Sequence, residues 1–207
     1  MLSDIQLDAL KEIFNIGIGK AGSALSELMG SKIHLKVPIV GTCPITEFGT
    51  VLELEIEEEI VSVDQGFSGA LAGDAVLIFP QDSGSSLTRE LCGGEEELGD
   101  IAVERESALL EVGNIVLNGV LGSMSNIFNQ SLVFELPVYN EYVLTKLITR
   151  LEKEPEVVTD SKIALFARAD FSISALQVTG NVLLIFEINS FEKLITAIDN
   201  YVVECTT

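Results

Sequence analysis

The chain has 207 residues, 47% of them hydrophobic and 21% charged, a globular composition long enough for one large domain or two closely packed halves. With 32 acidic residues against 12 basic ones, its formal charge of −20 excludes nucleic acid and other polyanions as partners, because phosphate backbones are held by clustered Lys and Arg. Cys43, Cys92 and Cys205 are far apart and accompanied only by His34, which leaves no disulfide framework, no Cys/His metal site and no nucleophile-base pair of the hydrolase kind.

The first predicted element is a long helix. Ser3 followed by Gln6 is a capping-box start, and Ile5, Ala9, Leu10, Ile13, Phe14, Gly17, Ala21, Leu25 and Leu28 form an apolar stripe that runs to Gly30. The opening residues have neither the basic flank nor the unbroken apolar core of a signal peptide, and no later stretch has 18 consecutive apolar residues, so a cytoplasmic chain is expected. "KIHLKVPIV" alternates as a strand, with His34 a satisfied or solvent-facing imidazole, and "VLELEIEEEIVSVDQGFSGALAGDAVLIFP" is β-rich and broken by Gly and Pro turns. "SGSSLTRELC" predicts a short helix, with Cys43 and Cys92 as buried small hydrophobes. "CGGEEELGD" is the nearest approach to a linker.

The second part then repeats the first. A helix is predicted from about Glu104 to Asn129, a strand at "SLVFELPV", a helix at "NEYVLTKLITRLEKE", strands at "KIALFARADFSIS" and "NVLLIFEI", and a last helix at "SFEKLITAIDNYV". Asp8, Glu12, Asn15 and Pro38 recur 99 positions later as Ser107, Glu111, Asn114 and Pro137. "GDAVLIFPQDSGSSLTREL" from Gly73 likewise resembles "GNVLLIFEINSFEKLITAI" from Gly180, 107 positions on. This self-similarity predicts one domain made of two repeats, approximately 1–99 and 100–207, related by a pseudo-twofold axis. Strands joined by short turns favour an α+β fold, an antiparallel sheet covered by helices that include the two long ones.

On a helix, Asp8, Glu12 and Asn15 are spaced i+4 and then i+3 and so share a face, as do Ser107, Glu111 and Asn114. Each pattern holds a carboxylate and a carboxamide out on a rigid element whose other side is apolar. A single copy would pass for the solvated face of an amphipathic helix. Two copies would not, because Asn is a poor mid-helix residue whose repeated use has a small cost that Gln or Lys would avoid.

The pattern Asp/Ser-x3-Glu-x2-Asn-x22-Pro, with "EIFNIGIGKAGSALSELMG" and "EVGNIVLNGVLGSMSNIF", resembles the signature of the CheC/CheX/FliY family of phosphatases that act on phosphorylated CheY, the chemotaxis response regulator. The resemblance covers essentially the whole chain. Two motifs per chain are the CheC arrangement, and no residues remain for the flagellar-switch domain that FliY adds. It implies that Asn15 and Asn114 orient a water for attack on the regulator's aspartyl phosphate, that Glu12 and Glu111 pair with the regulator's active-site Lys, and that Asp8 and Ser107 position those Glu side chains or contact the partner. The enzyme then has no cofactor of its own, and Mg²⁺ belongs to the regulator. Pro38 and Pro137 are expected at the start or end of an edge strand. The resemblance also allows the receptor deamidase CheD as a partner on the helix expected after Pro137, "NEYVLTKLITRLEKE", which contains no Asp. A rival of another class is a non-catalytic adaptor that binds phosphorylated CheY or CheD. A two-carboxylate glycosidase needs an aromatic-lined cleft, for which a chain with no Trp and three Tyr is poorly supplied.

Overall fold

The computed structural model describes residues 2–30, 32–55, 57–91, 101–152, 163–173 and 176–206. Helix α1 spans Asp4–Met29, starting at a capping box in which Ser3 and Gln6 each accept from the other's backbone N–H and ending at Gly30 in the left-handed region (φ 61°). Its stripe buries Leu10, Ile13, Phe14, Ile18, Ala21 and Leu25. Strand β1 (Ile33–Pro44) leads through a 3₁₀ turn (Ile45–Glu47) and the short α2 (Phe48–Val51) to β2 (Glu59–Gly69), β3 (Gly73–Pro80) and α3 (Gln81–Leu91). The second half follows as α4 (Ile101–Ile127), β4 (Leu132–Phe134), β5 (Val138–Val143), α5 (Leu144–Glu152), β6 (Ile163–Ile173), β7 (Leu176–Phe186) and α6 (Ile188–Thr206).

All strand pairs are antiparallel, in the order β1-β6-β7-β3-β2-β4, with β5 also on β2. The order is symmetric about the β7–β3 seam. The first strand of each half has crossed over: β1 lies beside β6, and β4 with β5 lies beside β2. Neither half would therefore own a complete sheet, and the fold is an α+β pseudo-twofold duplication whose halves are interleaved.

The central strands are buried on both faces, which is why they read as unbroken apolar runs. Ala75, Leu77 and Phe79 of β3 with Val182, Leu184 and Phe186 of β7 face the core beneath α1 and α4. Val76, Ile78, Leu183 and Ile185 face the opposite core, closed by Ile45, Phe48, Leu144 and Leu147. Cys43 sits in this second core, where burial, and then the charge of Glu47, pushes its thiol up to about 11. Cys92 and the linker candidate lie outside the described residues. The stretch Arg105–Ile127 of α4 has the length and mean hydropathy (1.3) of a membrane-crossing helix, and half of it is buried within the fold.

Three sequence expectations are corrected. Asn140 to Val143 continue strand β5 against β2, so the helix expected from Asn140 begins at Leu144; pairing with β2 outweighs the helix-favouring pattern that follows. Val51 closes a helical turn rather than opening a strand, and among the described residues that follow the next strand begins at Glu59. Pro38 neither starts nor ends its strand: it lies inside edge strand β1, where the register with β6 shifts between Lys36 and Ile39. Pro137 occupies the break between β4 and β5, the corresponding place in the other half. A residue without an N–H fits both irregularities.

Candidate functional site

The motif helices pack against each other at two glycines. A Cβ on Gly17 would lie 2.6 Å from the carbonyl oxygen of Gly119 and 2.7 Å from Cα of Val120, and a Cβ on Gly119 would lie 2.7 Å from the oxygen of Gly17. Only hydrogen at both positions lets the backbones meet so closely. Gly113 does the same for α4 on the sheet, since a Cβ there would lie 2.4 Å from the side chain of Val63. Gly17 lies two residues from Asn15 and Gly113 adjoins Asn114, so each motif stands beside closely packed backbone.

Asp8, Glu12 and Asn15 are exposed on α1, and Ser107 and Glu111 are exposed on α4. Asn114 differs, being half-buried. Because Gly17 of α1 opposes Gly119 of α4 and Leu25 opposes Val112, the helices run antiparallel and the motifs lie toward opposite ends of the pair. An exposed apolar residue precedes each motif by one turn: Ile5, 64% exposed, before Asp8, and Val103, 57% exposed, before Ser107. Beside the second motif an open groove of about 280 Å³ is lined by Leu25, Leu28, Leu91 and Val112 together with Ser107 and Glu111. His34 is exposed on β1, away from both motifs, and among the described residues no group of three His, Cys, Asp or Glu side chains is arranged to hold a metal.

Sequence reading missed two residues at the second motif. The Nδ2 of Asn118 donates to Oδ1 of Asn114 at 2.7 Å, and the Nε2 of Gln65 approaches Oδ1 of Asn118 at 3.4 Å while donating to the backbone oxygen of Glu135 at 2.9 Å. Gln65 is 2% exposed. The available signal was a polar residue interrupting an apolar run, "IVSVDQGF" and "NIVLNGVLG". Asn15 has no side-chain hydrogen bond to any described residue. On the opposite face of β2, Asp64 accepts from Ser62 (2.7 Å), Asn140 (2.9 Å) and Tyr142 (3.2 Å) and pairs with Arg150 (2.6 Å).

Two long helices over an interleaved antiparallel sheet define an architecture shared with solved FliY and FliM structures. Thermotoga maritima FliY superposes with a TM-score of 0.71 at 20% identity, over 99% of this chain and 98% of that one. The model of the CheC-like family matches residues 5–41, the stretch that carries the first motif and Pro38. The CheY-P phosphatase CheC of Bacillus subtilis (strain 168) is 25% identical over 205 residues, 95% of each chain. The flagellar motor switch phosphatase FliY of the same organism is 22% identical over 204 residues, and this chain spans half of its length. The matched family model and both Bacillus subtilis relatives make the CheC/CheX/FliY proteins what this chain is similar to.

Proposed function

We propose that this chain is a cytoplasmic phosphatase that hydrolyses the aspartyl phosphate of a CheY-type response regulator, with Asn15 and Asn114 each orienting the attacking water. The observation that carries the reading is the presentation of two Glu-x2-Asn pairs on the outer side of one tightly packed helix pair, Glu12, Asn15 and Glu111 exposed and Asn114 half-buried. The names of the Bacillus subtilis relatives, a CheY-P phosphatase and a flagellar motor switch phosphatase, support the substrate class.

The chemistry suits so sparse a site. In an aspartyl phosphate the leaving group is a carboxylate whose conjugate acid has a pKa of about 4, so no general acid is required. The water oxygen attacks phosphorus, the bond between phosphorus and the aspartyl oxygen breaks, and the products are a free carboxylate and inorganic phosphate. What remains to be supplied is a water held in line, and a carboxamide can fix one through its paired donor and acceptor. Glu12 and Glu111 bind a lysine beside the regulator's phosphorylation site and set the docking angle, with Asp8 and Ser107 contacting the same partner one turn earlier. Ile5 and Val103 add apolar contact area at the edge of each docking face. The regulator brings its own Mg²⁺.

The test is the loss of phosphoryl label from a CheY-like regulator. Wild type should accelerate it well above the regulator's own rate, and the folded Asn15→Ala/Asn114→Ala variant should not. A double variant with the full wild-type rate would remove both Asn residues from the chemistry, and an adaptor would show no acceleration by wild type.

A further inference from the structure

The two motifs have different surroundings inside the fold. At the second, three side-chain amides and a backbone carbonyl form a chain that runs from Glu135 through Gln65 and Asn118 to Asn114. Its polarity follows from its anchored end. A backbone carbonyl only accepts, so the Gln65 atom facing Glu135 is Nε2. Its remaining N–H then points to Asn118, which must answer with Oδ1, at a long 3.4 Å. That leaves Nδ2 of Asn118 facing Asn114, which must answer with its own Oδ1, at 2.7 Å. The Nδ2 group of Asn114 is thereby turned away from the chain. Reversing either Asn would set oxygen against oxygen or N–H against N–H, so the orientation is imposed rather than chosen locally. Each amide in such a head-to-tail chain also polarises the next, which strengthens the terminal N–H donor.

The first motif has none of this. The repeat places Gly19 where α4 has Asn118. The sheet register places Ala167 where β2 has Gln65, because Gln65 pairs with Ala75, Ala167 pairs with Val182, and Ala75 and Val182 are equivalent positions of the 107-residue repeat. A Cβ at Gly19 would have nothing within 4 Å.

We propose that Gln65 and Asn118 are positioning residues that lock the carboxamide of Asn114 in one orientation, making the second site pre-organised and the first site adjustable. This rests on the phosphatase reading above. A locked amide need not be ordered as the transition state is approached, so the effect falls on kcat and leaves regulator docking, and hence KM, unchanged.

The experiment isolates the sites. In the Asn15→Ala background only the second site operates, and there Asn118→Ala should lower kcat about tenfold with KM within about twofold. In the Asn114→Ala background, where only the first site operates, Asn118→Ala should change neither. Asn118→Asp is the second variant. It still accepts from Gln65 but offers Asn114 only acceptor oxygens, so it should turn the Asn114 amide over and lower second-site kcat at least as far. Side-chain amide signals of the ¹⁵N-labelled free protein report the same event without activity: those of Asn114 should shift in Asn118→Asp and those of Asn15 should not. Unchanged second-site kcat in both variants, a change confined to KM, or equal shifts at Asn15 and Asn114 would each overturn the positioning role. Full activity of the Asn15→Ala/Asn114→Ala variant would instead overturn the catalytic reading, and the positioning role with it.

Discussion

The two motifs are sequence equivalents on equivalent helices, yet one is bare and the other is built in. Around Asn15 the helix offers Gly19 and the nearest strand offers Ala167; around Asn114 the same positions carry Asn118 and Gln65. The difference continues through the sheet. β2 has Asp64 where β6 has Phe166, so the strand beneath the second motif is tied on one face by the amide chain and on the other by an ion pair and three hydrogen bonds. At the same place in its counterpart Phe166 packs in the apolar core, and the polar tie is Arg168, which donates to the backbone oxygen of Leu52 and pairs with Glu53 at 3.7 Å. Both copies keep the outward-facing Glu and Asn, as the proposed contact with a partner requires. The supporting residues are free to diverge, because packing and hydrogen bonding can each hold a strand.

The largest perturbation should remove the comparison altogether by separating the helices that both motifs share. Gly17→Ala places a methyl against backbone atoms of Gly119 and Val120 that cannot rotate away, so it should destabilise the fold by about 1–3 kcal/mol, despite the higher helix propensity of Ala. Two residues on, Gly19→Ala meets nothing and should stabilise by up to about 1 kcal/mol. Urea unfolding of the two variants reads both effects. Equal midpoints would mean that the close helix crossing does not bear on stability.

A smaller effect distinguishes the docking faces. Glu12 stands on an open helix surface, whereas Glu111 lines the groove with Leu25 and Leu28, where a docked partner would shield it from solvent. A contact formed in the open is screened by salt, and one closed off by apolar side chains is screened less. In backgrounds that leave one site working, Glu111→Gln should raise KM several-fold with little change in salt dependence. Glu12→Gln should raise KM less and flatten the salt dependence more. The measurement is KM for the phosphorylated regulator at two ionic strengths; identical salt slopes for the two variants would erase the difference between the faces.

Much of this was legible in the sequence where the information is local. The α1 stripe announced itself by helical spacing, its start by Ser3 and Gln6, and the motif by recurring. The strand at Asn140–Val143 was hidden because the segment continues into a true helix and only pairing with β2 makes it extended. The position of Pro38 inside its strand depends on a register shift, which no composition reveals. The amide chain was least accessible of all. Gln65 and Asn118 are 53 positions apart and meet only because α4 settles on β2, a closeness that Gly113 permits.

The smallest expected effect concerns the polar clamp on the far face of β2, where the comparison can be sharpened by pH. Tyr142 donates to Asp64 and shares a hydrogen bond with Ser62, and burial, followed by the charge of Asp64, pushes its phenol up to about 12. Its unfolded value is about 10, so below pH 10 both states hold the proton and the clamp contributes in full. Between pH 10 and 12 the unfolded chain releases the proton first, fewer protons are bound in the unfolded state than in the folded one, and stability falls as pH rises. Tyr142→Phe removes the titrating group, so its urea midpoint should start lower, for want of the bond to Asp64, and decline less steeply over that window. Because Asp64 precedes Gln65 on β2, the substitution should also lower the second-site rate slightly and leave the first site, whose strand carries Phe166 there, unchanged. Parallel declines of wild type and variant between pH 10 and 12 would show that Tyr142 is not the titrating group. Equal rate losses at both sites would show that the clamp supports the whole sheet and not the second motif in particular.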